Sequence, residues 1–193
     1  VEIFLGSHGL GALPAWLRQL PRRAGRAVLV PTAGNPMPST PWVGVAHAAL
    51  LSEGLAVRRL DLEPASIDEV STALEWADLV FVTGGFPIYL LQQAQRTGFV
   101  TAVARSVRAG RLAYAGVSSG ASLAAADLTF YRGDDDPGEV ANTAGLGLVP
   151  FYPLAHADRG REERYARLIA ELGDRYQFVP IRDDEAVLVR GQH

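Results

Sequence analysis

Strand-sized apolar runs alternating with helix-length amphipathic segments leave this chain few folds to choose from. Val1–Leu5, Ala27–Val30, Ala56–Leu60, Leu79–Val82, Leu112–Val117 and Ala186–Val189 read as buried parallel strands, because near-continuous apolar runs suit strands covered on both faces. Between them Leu13–Leu20, Trp42–Glu53, Ile67–Trp76, Tyr89–Gln95, Phe99–Ala109 and Glu162–Leu172 carry helical patterns. That alternation implies right-handed βαβ units and an α/β fold, a mostly parallel central sheet with helices on both faces. Gly54, Gly110 and Gly173 fall where helices should end. From Thr129 to Val149 the pattern changes to a short strand, the acidic loop Gly133–Gly138 and a Gly-rich stretch. No repeat or linker divides the 193 residues, so a single domain over 1–193 is expected.

Composition narrows the chemistry. There is no cysteine, which removes disulfides, thiolate catalysis and cysteine metal sites together, so a nucleophile must be an oxygen. A net charge of -3 offers no basic field for nucleic acid or anionic lipid. No apolar stretch is long enough to span a bilayer, and a cytoplasmic location is expected. Neither a P-loop nor a complete dinucleotide fingerprint is present. The expected partner is a small peptide, with no nucleic acid, membrane, cofactor or metal; a homodimer is compatible with the sequence.

In open α/β sheets function gathers at the carboxyl ends of the strands. Gly116-Val117-Ser118-Ser119-Gly120 follows a predicted buried strand and opens a small-residue helix beginning Ala121-Ser-Leu. A GxSxG sequence needs that context to act as a nucleophile elbow, a sharp turn that lifts the central side chain out of the sheet. Ser118 has glycines two positions to either side, whereas Ser119 has Val117 and Ala121. Ser118 is therefore the better nucleophile, and Ser119 offers a backbone N–H to an oxyanion. Thr83-Gly84-Gly85 ends another strand, and the Gly85 N–H could donate to the same oxyanion. Of the four histidines, His8 stands in a Gly-rich loop, His47 in a helix and His193 at the chain end, leaving His156 as the candidate base. Asp134, Asp135, Asp136 and Glu139 lie between Ser118 and His156 and are candidate acids. A noncatalytic α/β module cradling an anion in its Gly-rich turns is the rival of a different class.

The combination resembles the peptidase E (aspartyl dipeptidase) and cyanophycinase family of serine peptidases, whose fold is like that of class I glutamine amidotransferase domains. The likeness runs roughly from Pro31 to Arg190. It is carried by Ala77–Gly85 before Leu90-Leu91, Ala113–Ala121, Gly145–Pro150, and His156 followed by Arg159–Arg164. It implies a serine-type dipeptidase with Ser118 as nucleophile, His156 as general base, and Gly85 and Ser119 at the oxyanion hole. Asp135, before Asp136-Pro137, fits the family's Asp-x-Pro pattern and is implied as the triad acid. Arg161, in Arg161-Glu-Glu-Arg164, matches the arginine that binds the substrate's aspartyl carboxylate. Elementary electrostatics supports Arg161 separately, since a cation at a helix start opposes the macrodipole and needs another reason to be there. The chain departs from the family in reading Phe86-Pro87 where Asn-Thr is common, and Ser119 where alanine is usual. Within the same mechanism, a cyanophycinase-like enzyme or a broader small-peptide or ester hydrolase is the alternative.

Overall fold

A computed structural model describes residues 1–191. Its main sheet has six strands in the order β3-β2-β4-β5-β1-β8: β1 (Glu2–Gly6), β2 (Arg26–Val30), β3 (Ala56–Arg59), β4 (Leu79–Val82), β5 (Ala113–Val117) and β8 (Ala186–Arg190). The first five run parallel. The helices are α1 (Leu13–Arg18), α2 (Pro41–Ser52), α3 (Ile67–Trp76), α4 (Pro87–Arg96), α5 (Phe99–Arg108), α6 (Ser119–Leu123) and α7 (Glu162–Leu172). A separate parallel pair joins β6 (Tyr152–Leu154) to β7 (Phe178–Pro180).

Alternation along each strand explains why both faces are covered. Phe4, Leu29, Leu79, Phe81 and Ala115 point to one face and pack with Trp16 of α1 and Val43, Ala46 and Leu50 of α2. Ile3, Leu5, Val28, Val80 and Tyr114 point to the other and pack with residues of α3, α4, α5 and α6. Edge strand β3 departs from the expected burial, with Arg58 and Arg59 exposed and the Arg58 guanidinium 4.0 Å from the centre of the Trp76 ring. The expected short strand after Thr129 is instead one turn of 3₁₀ helix.

One difference from the sequence expectation decides where the site forms. Ala186–Val189 was expected to run parallel with the others, but β8 is antiparallel to β1, with Gly6 opposite Ala186. The carboxyl ends of β1, β2, β4 and β5 share one edge of the sheet. Because β8 is reversed, its amino end and the preceding turn reach that same edge. Among the described residues no helix is long and apolar enough to cross a membrane.

Candidate active site

The turn from β5 into α6 holds Ser118 at φ 55°, ψ -113°, a left-handed conformation rare for any residue with a side chain. Its neighbours make the turn possible. A Cβ on Gly116 would lie 2.2 Å from the Gly120 carbonyl oxygen, and one on Gly120 would lie 2.1 Å from that of Val82, so neither position accepts a side chain. The buried Tyr114 hydroxyl donates to the Gly120 carbonyl at 2.6 Å, and the Ser118 N–H donates to Gly6 at 3.1 Å. The strain is thus held by the packed sheet beneath it.

Ser118 Oγ lies 3.0 Å from His156 Nε2. His156 follows β6, and its own backbone is left-handed at φ 59°. On the far side of the ring, Nδ1 is 2.6 Å from Asp183 Oδ1. Asp183 stands in the turn between β7 and β8, tied by its N–H to Asp158 at 2.9 Å and by its carbonyl to the Gly9 N–H at 2.7 Å. Its second carboxylate oxygen pairs with Arg159. Ser7, fully buried at the end of β1, joins the two: its hydroxyl accepts from the His156 backbone N–H at 2.6 Å and donates to Asp183 Oδ1 at 2.8 Å. Burial works against the Asp183 charge, but hydrogen bonds from His156 and Ser7 and the Arg159 cation outweigh it and hold the carboxyl below its usual range. Burial also pushes the His156 pKa down, with Arg161 and Arg159 adding to the effect and Asp183 opposing it. A neutral imidazole with its proton on Nδ1 then presents a free Nε2 lone pair to the Ser118 hydroxyl.

The expectation that Asp135 orients His156 is not met. Asp135 is exposed, and the carboxylate at the ring is Asp183. The acidic loop has a different anchor, because Asp136 is buried and accepts from Ile88 N–H at 2.8 Å and Tyr89 N–H at 3.0 Å. These first-turn N–H groups of α4 have no partner within the helix, and a carboxylate there is stabilised by up to about 2 kcal/mol. Gly138 makes the docking possible, since a Cβ there would sit 2.2 Å from the Tyr89 nitrogen. Asp134 and Glu139 are likewise exposed, and none of the three contacts His156. Of the other histidines, His8 stands with its ring centre 6.4 Å from that of His156, and His193 lies outside the described residues.

Gly85 and Ser119 are brought together beside Ser118. The Gly85 N–H donates to Ser119 Oγ at 3.2 Å, and that hydroxyl donates back to the Gly85 carbonyl at 2.5 Å. Gly85 has φ 152°, and a Cβ would fall 2.0 Å from the Ala33 carbonyl oxygen, so the turn is open only to glycine. Arg161 caps the start of α7, where its Nη1 donates to the Tyr165 hydroxyl at 3.2 Å. It is exposed and pairs with no carboxylate among the described residues.

These residues border a cleft with two lobes that meet at Ser118, Gly85, Met37 and Arg161. One lobe, about 470 Å³, carries His156 and Arg159 and has apolar walls from Leu10, Trp42 and Val45. The other, about 270 Å³, is lined by Ser122, Tyr131, Asp135, Arg164 and Tyr165.

Residues 7–193 match the model of peptidase family S51. The uncharacterized peptidase Lmo0363 of Listeria monocytogenes is 30% identical over 99% of this chain and 95% of its own length. Peptidase E of Escherichia coli O6:K15:H31 is 29% identical over 82% of this chain and 70% of its own. A 1.5 Å crystal structure of a candidate peptidase E protein from Listeria monocytogenes EGD-e superposes with a TM-score of 0.86 at 29% identity, covering 100% of this chain and 95% of that one. The chain belongs to peptidase family S51 and is a serine-type peptidase.

Proposed function

We propose that this peptidase cleaves dipeptides with an N-terminal aspartate through an acyl-enzyme on Ser118. The observation that carries the reading is the 3.0 Å contact of Ser118 Oγ with His156 Nε2 in a cleft that also holds the guanidinium of Arg161, which pairs with no carboxylate among the described residues. His156 takes the Ser118 proton as Oγ attacks the scissile carbonyl, and Asp183 stabilises the imidazolium that forms. The oxyanion receives the Ser119 N–H, at the start of α6, and beside it stands the second expected donor, the Gly85 N–H, which lies 3.2 Å from Ser119 Oγ. Nε2 then gives its proton to the departing amine, leaving the aspartyl group esterified to Ser118. Water, deprotonated by His156, releases it.

Arg161 supplies the specificity in this reading, its planar fork matching the two oxygens of the aspartyl side chain. A hydrogen-bonded charge contributes about 1.5–3 kcal/mol, so Asp-Leu should exceed Asn-Leu by roughly 10- to 100-fold in kcat/KM. Glu-Leu should be poorer than Asp-Leu, because the displaced carboxylate draws the scissile carbonyl away from Ser118. Arg161→Ala should erase the Asp-over-Asn preference. It should also move the acid limb of the kcat/KM profile to higher pH, because a cation that disfavours protonation of His156 has gone. Equal rates for Asp-Leu and Asn-Leu in the wild type would reject the acid pocket and leave a serine peptidase of another preference.

Ser7 acts through His156 and Asp183 rather than on the substrate. Ser7→Ala removes the acceptor for the strained His156 backbone and one donor to Asp183, so kcat should fall about 10- to 100-fold, in line with the loss of a supporting hydrogen bond. KM should change little. Steady-state kinetics with a thermal melt checks this; a wild-type kcat in Ser7→Ala would show that the ring keeps its place without it.

A further inference from the structure

One lobe of the cleft has an apolar wall. Val45, on the exposed side of α2, leaves 60% of its surface open, and it faces the cleft with Leu10, Pro41 and Trp42. Trp42 is fixed there, its indole N–H donating to the Gly84 carbonyl at 3.0 Å, which leaves its ring as a rigid wall next to the Ser118 turn. An apolar wall beside a strained serine is costly to leave in water and useful if a substrate covers it.

Proton transfer decides which half of a substrate lies there. The departing amine must take a proton from His156 Nε2, so the residue beyond the scissile bond leaves on the side of the imidazole. His156 borders the apolar lobe and not the lobe of Asp135 and Arg164. Arg159, paired with Asp183 on one side, has 56% of its side chain exposed and also borders the apolar lobe. A cation beside an apolar wall complements a free amino acid with an apolar side chain, its carboxylate toward Arg159 and its side chain on Trp42 and Val45.

We infer that the lobe walled by Leu10, Trp42 and Val45 is the leaving-residue subsite, and that it takes the large apolar side chain of a C-terminal amino acid such as leucine. This rests on the reading of the enzyme as an N-terminal-aspartate dipeptidase. It adds a second specificity, since Arg161 would select the first residue and the α2 wall the second.

The test is kcat/KM for Asp-Leu, Asp-Asn and Asp-Gly with the wild type, Val45→Asp and Val45→Leu. Leucine and asparagine have nearly the same size, so their ratio isolates apolar contact. Covering a leucine side chain should favour Asp-Leu over Asp-Asn and over Asp-Gly by roughly 10- to 100-fold. Val45 is exposed, so the fold should tolerate an aspartate there. Val45→Asp should cut the Leu-to-Asn ratio about threefold or more, while Val45→Leu should keep it. Comparable wild-type rates for the three dipeptides would overturn this inference and leave the aspartyl reading standing. Absence of turnover for all three, with Ser118 still acylated by a generic active ester, would overturn the aspartyl reading and this one with it.

Discussion

Ser118→Ala should lower kcat by about five to six orders of magnitude, the scale at which serine and histidine act as a unit in serine peptidases. The fold should persist, because among the described residues the Ser118 hydroxyl bonds only to His156, and the elbow is held by Gly116, Gly120 and Tyr114 beneath it. His156→Ala should cost about as much, and the double variant no more than either alone. Ser119→Ala is the control next door. Its hydroxyl bonds to Gly85 and its expected contribution is a backbone N–H, so kcat should stay within about tenfold. Stopped or steady-state assays on Asp-Leu, with circular dichroism to confirm folding, read all four variants. A Ser119→Ala enzyme that is dead beside an active Ser118→Ala enzyme would contradict the assignment.

The second large effect separates Asp135, the acid that the family resemblance implies, from Asp183, the carboxylate that faces His156 Nδ1. Asp183→Asn removes the charge facing His156 Nδ1 at 2.6 Å and lets an amide turn the ring toward the wrong tautomer. The cost should be about 10⁴-fold in kcat. It should also push the acid limb of activity to lower pH, because Asp183 is what opposes the depression of the His156 pKa. Asp135→Asn, at an exposed position, should leave the shape of the pH profile intact. Its effect on rate should stay within about tenfold, the scale of an exposed charge. A loss of four orders of magnitude in Asp135→Asn, with Asp183→Asn active, would reverse the two roles.

Much of this site was legible before the structure because it depends on local pattern. The elbow needs a buried strand, two glycines and a small-residue helix, and Gly116, Gly120 and Ala121 supply them in sequence. The helices at Ile67–Trp76 and Glu162–Leu172 fall where periodicity puts them. Asp183 was hidden because its place depends on topology. It lies in the polar turn Arg182–Glu185, which reads as an ordinary loop, and it reaches His156 only because β8 runs antiparallel to β1 and β7 pairs with β6. The three residues of β7 are too few for periodicity to register. The acidic loop attracted the assignment instead, yet its one buried carboxylate, Asp136, serves the first turn of α4. Ser7 was masked in a similar way, since the partner that gives it meaning, His156, is 149 residues distant.

The mechanism turns on the nucleophilicity of Ser118 that His156 and Asp183 are proposed to create. It is tested most directly by mapping the adduct of a fluorophosphonate probe by peptide mass spectrometry at near-neutral pH, in the wild type, His156→Ala and Asp183→Asn. The expected result is one adduct, on Ser118 of the wild type, slowed strongly in Asp183→Asn and lost in His156→Ala. An adduct on Ser119 or Ser7, or labelling of Ser118 that is indifferent to His156, would contradict it.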